Sequence, residues 1–290
     1  MELAWLEDFS ALAESGNFSR AAELRHVTQP AFSRRIRALE TWMGTPLFVR
    51  TAQGAQLTDA GRHVLPAAQE MVRRLHQLRL DAREVAGRAT RTLHFAATHS
   101  LSFTFFPAWI RQAERGAPLE AVRLLSDSMA VCEQMLLRGQ AQFLLCHQHP
   151  GVGSALTQGL FRSKEVGADA LLPLAVPDVA QAMQAGGDAP YLAYSAESGL
   201  GRIVDTVLGQ RPPPCPLAPV FHSHLAAVLM SMVQEGKGMA WLPRSLAGED
   251  LSRGVLARGL DAAWDIPLDI CLVRPALPMS DFAEAFWEKL

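Results

Sequence analysis

The chain has 290 residues, 49% hydrophobic and 19% charged, with a formal net charge of -2. That length suggests two or three units, and that composition excludes a disordered chain and supports a large core. The near-neutral total argues against a nucleic-acid partner only until its distribution is read: residues 1–92 hold 13 Arg, no Lys and 10 acids, whereas the remainder holds 14 basic and 19 acidic residues. Residues 20–62 carry seven Arg against Glu23, Glu40 and Asp59. A basic patch on a mildly acidic body is compatible with DNA, because only the docking face must be positive.

The opening "MELAWLEDF" has acids where a secretory signal would be basic, and no apolar run approaches the roughly 20 residues of a membrane span. The four cysteines (132, 146, 215 and 271) form neither CxxC nor zinc spacing. The expectation is a cytoplasmic, reduced protein with no disulfide, no metal and no membrane partner.

The first helix is short and amphipathic, with Trp5, Phe9, Leu12 and Ala13 on one face, and Gly16 is placed to close it. Ser19 is expected to cap a second helix of about two turns, in which Ala21 and Ala22 let another helix cross closely. His26 and Val27 make a tight turn; Thr28 then caps a third helix, with Pro30 in its first turn. At 100° per residue, Phe32, Ile36, Leu39 and Met43 share an arc that must be core, and Gln29, Pro30, Ser33, Arg34 and Arg37 fill the adjacent one. Gln can pair with adenine, Arg with guanine or phosphate, and a proline ring can touch a thymine methyl. The short preceding helix and tight turn favour a groove-reading helix over a merely solvated face. "LFVRTAQGAQLTDAG" (47–61) reads as a hairpin wing, from which Arg50 and Gln53 would reach DNA.

"NFSRAAELRHVTQPAFSRRIRALE…MG…LFVR…LTDAG" resembles the winged helix-turn-helix of LysR-type transcriptional regulators over about sixty residues. The resemblance implies that Ser19, Thr28, Gln29, Pro30, Ser33, Arg34, Arg37 and Arg50 lie at double-stranded DNA.

From Thr58 and Asp59 to about Arg88 a long helix carries Val64, Ala68, Met71, Val72, Leu75, Leu78 and Val85 as a stripe, with Pro66 inside it. A small winged domain cannot bury so long a stripe, and a second copy of the chain is the economical cover. The family resemblance implies dimers, usually building to tetramers, and RNA polymerase as a further partner.

Beyond residue 91, strands ("TLHFAA", "EAVRLL", "QFLLCH", "ALLPLAV", "YLAYS", "PVFHS", "MAWLP", "LDICLVR") alternate with helices near 103–115, 129–138, 199–209, 224–235 and 281–289. This predicts α/β architecture with largely parallel sheets. "GKGMAWLP" and the element order resemble the two-lobed effector domain of the same family, which is similar to periplasmic solute-binding proteins. The expected fold class is a winged helix-turn-helix and a long linker helix followed by a two-lobed α/β domain. The expected boundaries are 1–58, 59–90 and 91–290, with lobe I at about 91–163 and 266–290 and lobe II at about 164–265.

Ligands in such sheets sit at strand carboxyl ends near helix N-termini. Thr98, His99, Ser100, Ser128, His147, Ser195, Ser198, His222 and Ser223 occupy such ends and suit a small polar or anionic effector rather than a resident cofactor. The resemblance implies effector contact at Ser100. Either of the pairs His147/His149 and His222/His224 could hold a metal, yet no Cys or carboxylate spacing supports one.

Cys215, among prolines, and the Met residues, Met230 included, are oxidisable candidates. "FSRRIRALE", "AATHSLS" and "GMAWLP" look nearest to the hypochlorite-responsive branch of the family. That leaves oxidant sensing as an alternative to a reversible ligand. A cytoplasmic α/β enzyme with a Ser/His cleft is the outside alternative; the chain has no GxSxG, P-loop, GxGxxG or HExxH and shows no ordered triad.

Overall fold

Local chemistry sets the first three helices. In the computed structural model, α1 (Leu3–Ser15) ends at Gly16, whose φ of 62° and N–H to the Leu12 carbonyl form a left-handed cap. Helix α2 (Phe18–Leu24) begins two residues earlier than expected. Asn17 Oδ1 accepts from the N–H groups of Ser19 (2.9 Å) and Arg20 (3.1 Å), so Asn17 and not Ser19 is the cap. Ser19 stands exposed in the first turn. The turn to α3 (Gln29–Met43) forces His26 to φ 53°, and Pro30 falls in the first turn of α3.

The structure describes residues 2–51, 54–85, 92–114, 119, 121–153, 156, 159–185, 187 and 190–290. Gln53 and the expected boundary at residues 90 and 91 lie outside these, as do the side chains of Arg83 and Val85. The chain divides into two compact units, residues 1–88 and, the helix end 137–140 aside, residues 89–290.

In the first unit, Phe32, Ile36 and Leu39 are buried with Phe9, Leu12, Ala21 and Ala22. Strands β1 (Phe48–Thr51) and β2 (Gly54–Leu57) form the antiparallel wing. Gly54 is required here: a Cβ would lie 2.2 Å from the Gly16 carbonyl oxygen, and that oxygen accepts the Ala55 N–H. Glu40 near the end of α3 accepts the N–H groups of Leu47 (2.8 Å) and Phe48 (3.1 Å), tying the wing to the helix. Helix α4 (Asp59–Val85) starts under a Thr58 cap on Gly61, and Pro66 lies inside it. Its apolar stripe divides. Ala68 and Val72 are buried in the winged core, but Met71, Leu75 and Leu78 are 53%, 47% and 63% exposed along one face.

A buried carboxylate holds these helices. Asp8 on α1 is 0% exposed and accepts from Arg25 Nε (2.8 Å) and Arg35 Nη1 (3.4 Å). Arg25 also pairs with Glu7, whose other oxygen meets His76 Nε2 on α4 at 3.1 Å.

In the second unit the elements run β3 (Thr92–Thr98), α5 (His99–Thr104), α6 (Phe106–Ala113), β4 (Ala121–Asp127), α7 (Met129–Leu137), β5 (Phe143–Gln148), β6 (Phe161–Ala175), α8 (Pro177–Gln184), β7 (Pro190–Tyr194), α9 (Gly199–Gln210), β8 (Ala218–Ser223), α10 (Ala226–Gln234), β9 (Ala240–Pro243), α11 (Arg244–Ser252), β10 (Ala257–Arg258), β11 (Ile266–Pro275) and α12 (Asp281–Lys289). The sheets are mixed, not largely parallel. β3 pairs in parallel with β4 and β5, and β7 with β8; β11 pairs antiparallel with β5 and β6, and β6 antiparallel with β9 and β10. The cause is β6, 15 residues long, which with β11 runs through both halves of the unit.

Two cores result. Phe95, Trp109, Phe143, Leu272 and Phe286 belong to one, and Leu172, Tyr194, Leu229 and Trp241 to the other. The changeover falls between Val166 and Ala170 on β6 and between Leu268 and Ile270 on β11. The final strand and helix return to the first core, where the 2% exposed Arg274 grips Glu284 through two bonds (2.6 and 2.9 Å).

Replacing Asp8 with Ala removes the charge that Arg25 and Arg35 share and should destabilise the first unit by about 3 kcal/mol, the lower end for a broken buried ion pair. Denaturant unfolding of the variant measures it; a change under about 1 kcal/mol contradicts the structural role given to Asp8.

Candidate functional site

The arginines of α3 divide by their partners. Arg35 points inward to Asp8. Arg34 and Arg37 are exposed, and among the described residues neither forms an ion pair; Arg37 Nε reaches only the Ser33 carbonyl at 3.4 Å. Thr28, Gln29 and Pro30 share the exposure. Ser33 does not. It is 4% exposed, and its hydroxyl accepts from Gln29 Nε2 at 3.1 Å, because the crossing of α1 and α2 covers more of α3 than its apolar arc. Thr28 caps α3 through its extended backbone, with no side-chain bond. On the wing, Arg50 lies 4.7 Å over the Phe18 ring, a cation–π contact that joins β1 to α2.

Six of the expected effector residues come together. Thr98, His99, Ser100, Ser128, His147 and Ser198 line a pocket of about 30 Å³, with His224 and Asp127. Helices α5, α7, α9 and α10 all point their N-termini into it through His99, Met129, Gly199 and Ala226. Unsatisfied N–H groups and aligned peptide dipoles make such ends partly positive. Ser128 and Ser198 also cap their own helices, accepting from Val131 and Gly201. Thr98 Oγ1 is buried and, among the described residues, has no hydrogen-bond partner. A buried hydroxyl in that state calls for one.

Ser195, His222 and Ser223 lie elsewhere. Ser195 and Ser223 join β7 to β8 through their backbones, Ser223 Oγ accepts the Leu225 N–H, and His222 is exposed at the strand end. A cavity of about 620 Å³ adjoins the small pocket, sharing Met129, His147 and Gly199; it adds Arg162, Arg202, Glu133 and Asp269. Glu133 and Arg202 pair at 3.0 Å across it, from α7 to α9. Sequence reasoning missed this cavity because its wall combines α7, α9, β6 and β11, far apart in the chain.

His147 is bound at 3.2 Å to Asp169, which also accepts from Ser245 Oγ (2.6 Å) and Ser245 N (3.1 Å). Serine and imidazole thus address the same carboxylate. A nucleophilic triad needs the imidazole between the other two, so this set has the wrong order for hydrolysis. Burial works to raise the Asp169 carboxyl, but the bonds from His147 and Ser245 outweigh it and hold the group below the usual carboxylate range. The His99 and His224 rings stand 5.8 Å apart. Among the described residues no group of three or more His, Cys, Asp or Glu could hold a metal ion, and no helix is long and apolar enough to cross a membrane. Cys215 and Met230 are half-buried filler against the second core.

Residues 3–62 match the model described as "Bacterial regulatory helix-turn-helix protein, lysR family", and residues 86–290 match "LysR substrate binding domain". The chain belongs to the LysR family. It is a DNA-binding transcriptional regulator with an effector-binding domain, not an enzyme.

The HTH-type transcriptional regulator YjiE of Escherichia coli (strain K12) is 29% identical over 100% of this chain and 94% of its own length. Vibrio fischeri DarR, solved in complex with DNA, superposes with a TM-score of 0.55 at 28% identity, covering 99% of this chain and 97% of that one. Full-length HypT of Salmonella typhimurium, a hypochlorite-specific LysR-type regulator, gives 0.56 at 28%, covering 100% and 97%. HypT and DarR are thus comparably distant structural neighbours of this chain.

A carboxyl held low in the folded state contributes stability that is full above its unfolded value of 3.8 and lost as pH falls below it. Asp169→Asn should therefore lower Tm at pH 7, and the gap to the parent should close between about pH 4 and pH 2. Melting curves across that range check the sign; a gap that widens on acidification contradicts it.

Proposed function

We propose that the chain is a cytoplasmic homo-oligomeric regulator that reads DNA with α3 and responds to a small anionic effector. The division among the α3 arginines carries the DNA part. One is used up by the fold, while Arg34 and Arg37 stand exposed beside Thr28, Gln29 and Pro30 at the end that a helix-turn-helix presents to the major groove. Arg50 on the wing and Ser19 at the start of α2 flank that surface as phosphate contacts. Ser33 acts through Gln29, whose amide it orients.

The exposed Met71, Leu75 and Leu78 on α4 support a twofold dimer through that helix. Two recognition helices would then stand about one DNA turn, roughly 34 Å, apart on a pseudo-palindromic operator. Tetramers and contact with RNA polymerase follow from the family likeness. Residues 1–58 form the DNA-binding part, 59–90 the linker and 91–290 the effector domain, with one lobe around each core.

Four helix N-termini and the orphaned Thr98 hydroxyl support an anionic head group. A space of about 30 Å³ seats such a group, and the adjoining 620 Å³ takes the remainder of the molecule. The effector shifts the balance between two arrangements of the oligomer and so moves its DNA-binding heads.

Arg34→Ala should weaken operator binding by about 1–3 kcal/mol with Tm unchanged. Arg35→Ala, by contrast, should lower Tm through the loss of its bond to Asp8. Affinity titrations and melting curves compare the two; normal DNA binding by folded Arg34→Ala removes the interface. For the cleft, a panel of aliphatic and aromatic carboxylates should contain members that raise Tm, and Thr98→Val should cut their affinity roughly tenfold, as expected for one lost hydrogen bond, with DNA affinity unchanged. A panel without effect, or an unaltered Thr98→Val response, removes the anionic effector.

A further inference from the structure

The sequence offers no neighbouring cysteines, but the fold brings two together. Cys146 on β5 and Cys271 on β11 are direct partners in an antiparallel ladder. Opposed residues in such a ladder project from the same face, with Cα atoms about 4.5–5.5 Å apart. That spacing lies inside the range a disulfide spans, roughly 4.4–6.8 Å. A β-bulge adjoins the pair: the β11–β6 register shifts between Ile270 and Cys271. Bulges loosen a ladder locally and re-aim side chains.

The pair also has an approach. Asp269 and Val273, two residues to either side of Cys271, line the 620 Å³ cavity, and so does Gln148, two residues beyond Cys146. By strand alternation these share a face with the two thiols, so the pair lies under the cavity floor. Cys271 is 6% exposed and lies beside Ser163, another cavity residue, whereas Cys146 is fully buried.

We propose that Cys146 and Cys271 form an oxidisable dithiol that a small hydroperoxide reaches through this cavity. The Cys271 sulfur, having released its proton, attacks one peroxide oxygen. The O–O bond breaks, the sulfur becomes a sulfenic acid, and the leaving hydroxide takes up the released proton as water. The Cys146 sulfur then attacks the sulfenic sulfur; the S–S bond forms, the S–O bond breaks, and the Cys146 proton leaves with the hydroxyl as a second water. Two thiols and one hydrogen peroxide thus give one disulfide and two waters. The bond would staple β5 of the first core to β11, the strand that runs on into the second. Burial pushes both thiols up, so they are protonated at neutral pH and oxidise slowly, faster as pH rises.

Full-length protein reduced with dithiothreitol, freed of reductant and treated with hydrogen peroxide tests this. After unfolding and alkylation, cleavage at Arg138, Arg162 and Arg258 puts Cys132, Cys146 and Cys271 in three separate peptides. The expected product is a Cys146–Cys271 linked peptide lacking two hydrogens, with alkylation of both cysteines lost in parallel and restored by dithiothreitol. Cys271→Ala should abolish the link and Cys215→Ala should leave it intact. Continued alkylation of both thiols, a sulfinic acid on Cys271 without a link, or a Cys132–Cys146 bond would overturn the proposal. The map on unmutated protein decides even if the alanine variant does not fold.

Discussion

A carboxylate with no access to water governs the first half of this molecule. Asp8 lies wholly inside the winged domain, and a buried charge is tolerable only when it is met by opposite charge and hydrogen bonds. Arg25, from the turn after α2, and Arg35, from the middle of α3, supply both. That requirement fixes the rotation of α3 about its axis. With Arg35 turned in, Arg34 and Arg37 must turn out, and Gln29 and Pro30 at the helix start turn out with Thr28. The apolar arc alone would allow some rotation; the ion pairs remove it. Through Glu7 and His76 the same cluster reaches α4, so the helix that carries the exposed apolar stripe is tied to α3.

The effector domain is organised by length instead of charge. β6 and β11 are long enough to serve two cores. Helices from both sides therefore end against a common space. Their N-termini meet where strands stop, which concentrates partial positive charge without any buried lysine or arginine in the small pocket. The Glu133–Arg202 pair spans α7 and α9 beside it, so an entering anion would meet an arginine already committed to a carboxylate.

The wing shows how little tolerance the short elements have. Gly54 stands where any side chain would strike the Gly16 carbonyl, and a Cβ on Gly61 would lie 2.2 Å from the Leu47 oxygen. These two glycines and the Glu40 carboxylate, with Phe48 and Ala55 buried in the winged core, place Arg50 beside Phe18.

Much of this was legible in the residues themselves, because local chemistry acts over a few positions. Helical periodicity marked Phe32, Ile36 and Leu39 as core; Gly16 closed α1; eight apolar runs became strands; and Ser100, Ser128 and Ser198 stood at strand ends. Most of what failed was decided by atoms distant in sequence. Ser33 sits on the polar arc, yet the crossing helices cover it. The Asn17 side chain out-competes Ser19 because it reaches two N–H groups. Helix α11 and the first half of β6 have too weak a period to announce themselves, and helix α8 spans only eight residues. Antiparallel pairing of β11, the meeting of His147 with Asp169, and the pairing of Cys146 with Cys271 across 125 positions of chain follow from ladder register, which no short stretch encodes. Sequence alone determined which elements form and which polar groups end them; the tertiary structure decided which of those groups face each other, because that depends on long-range packing.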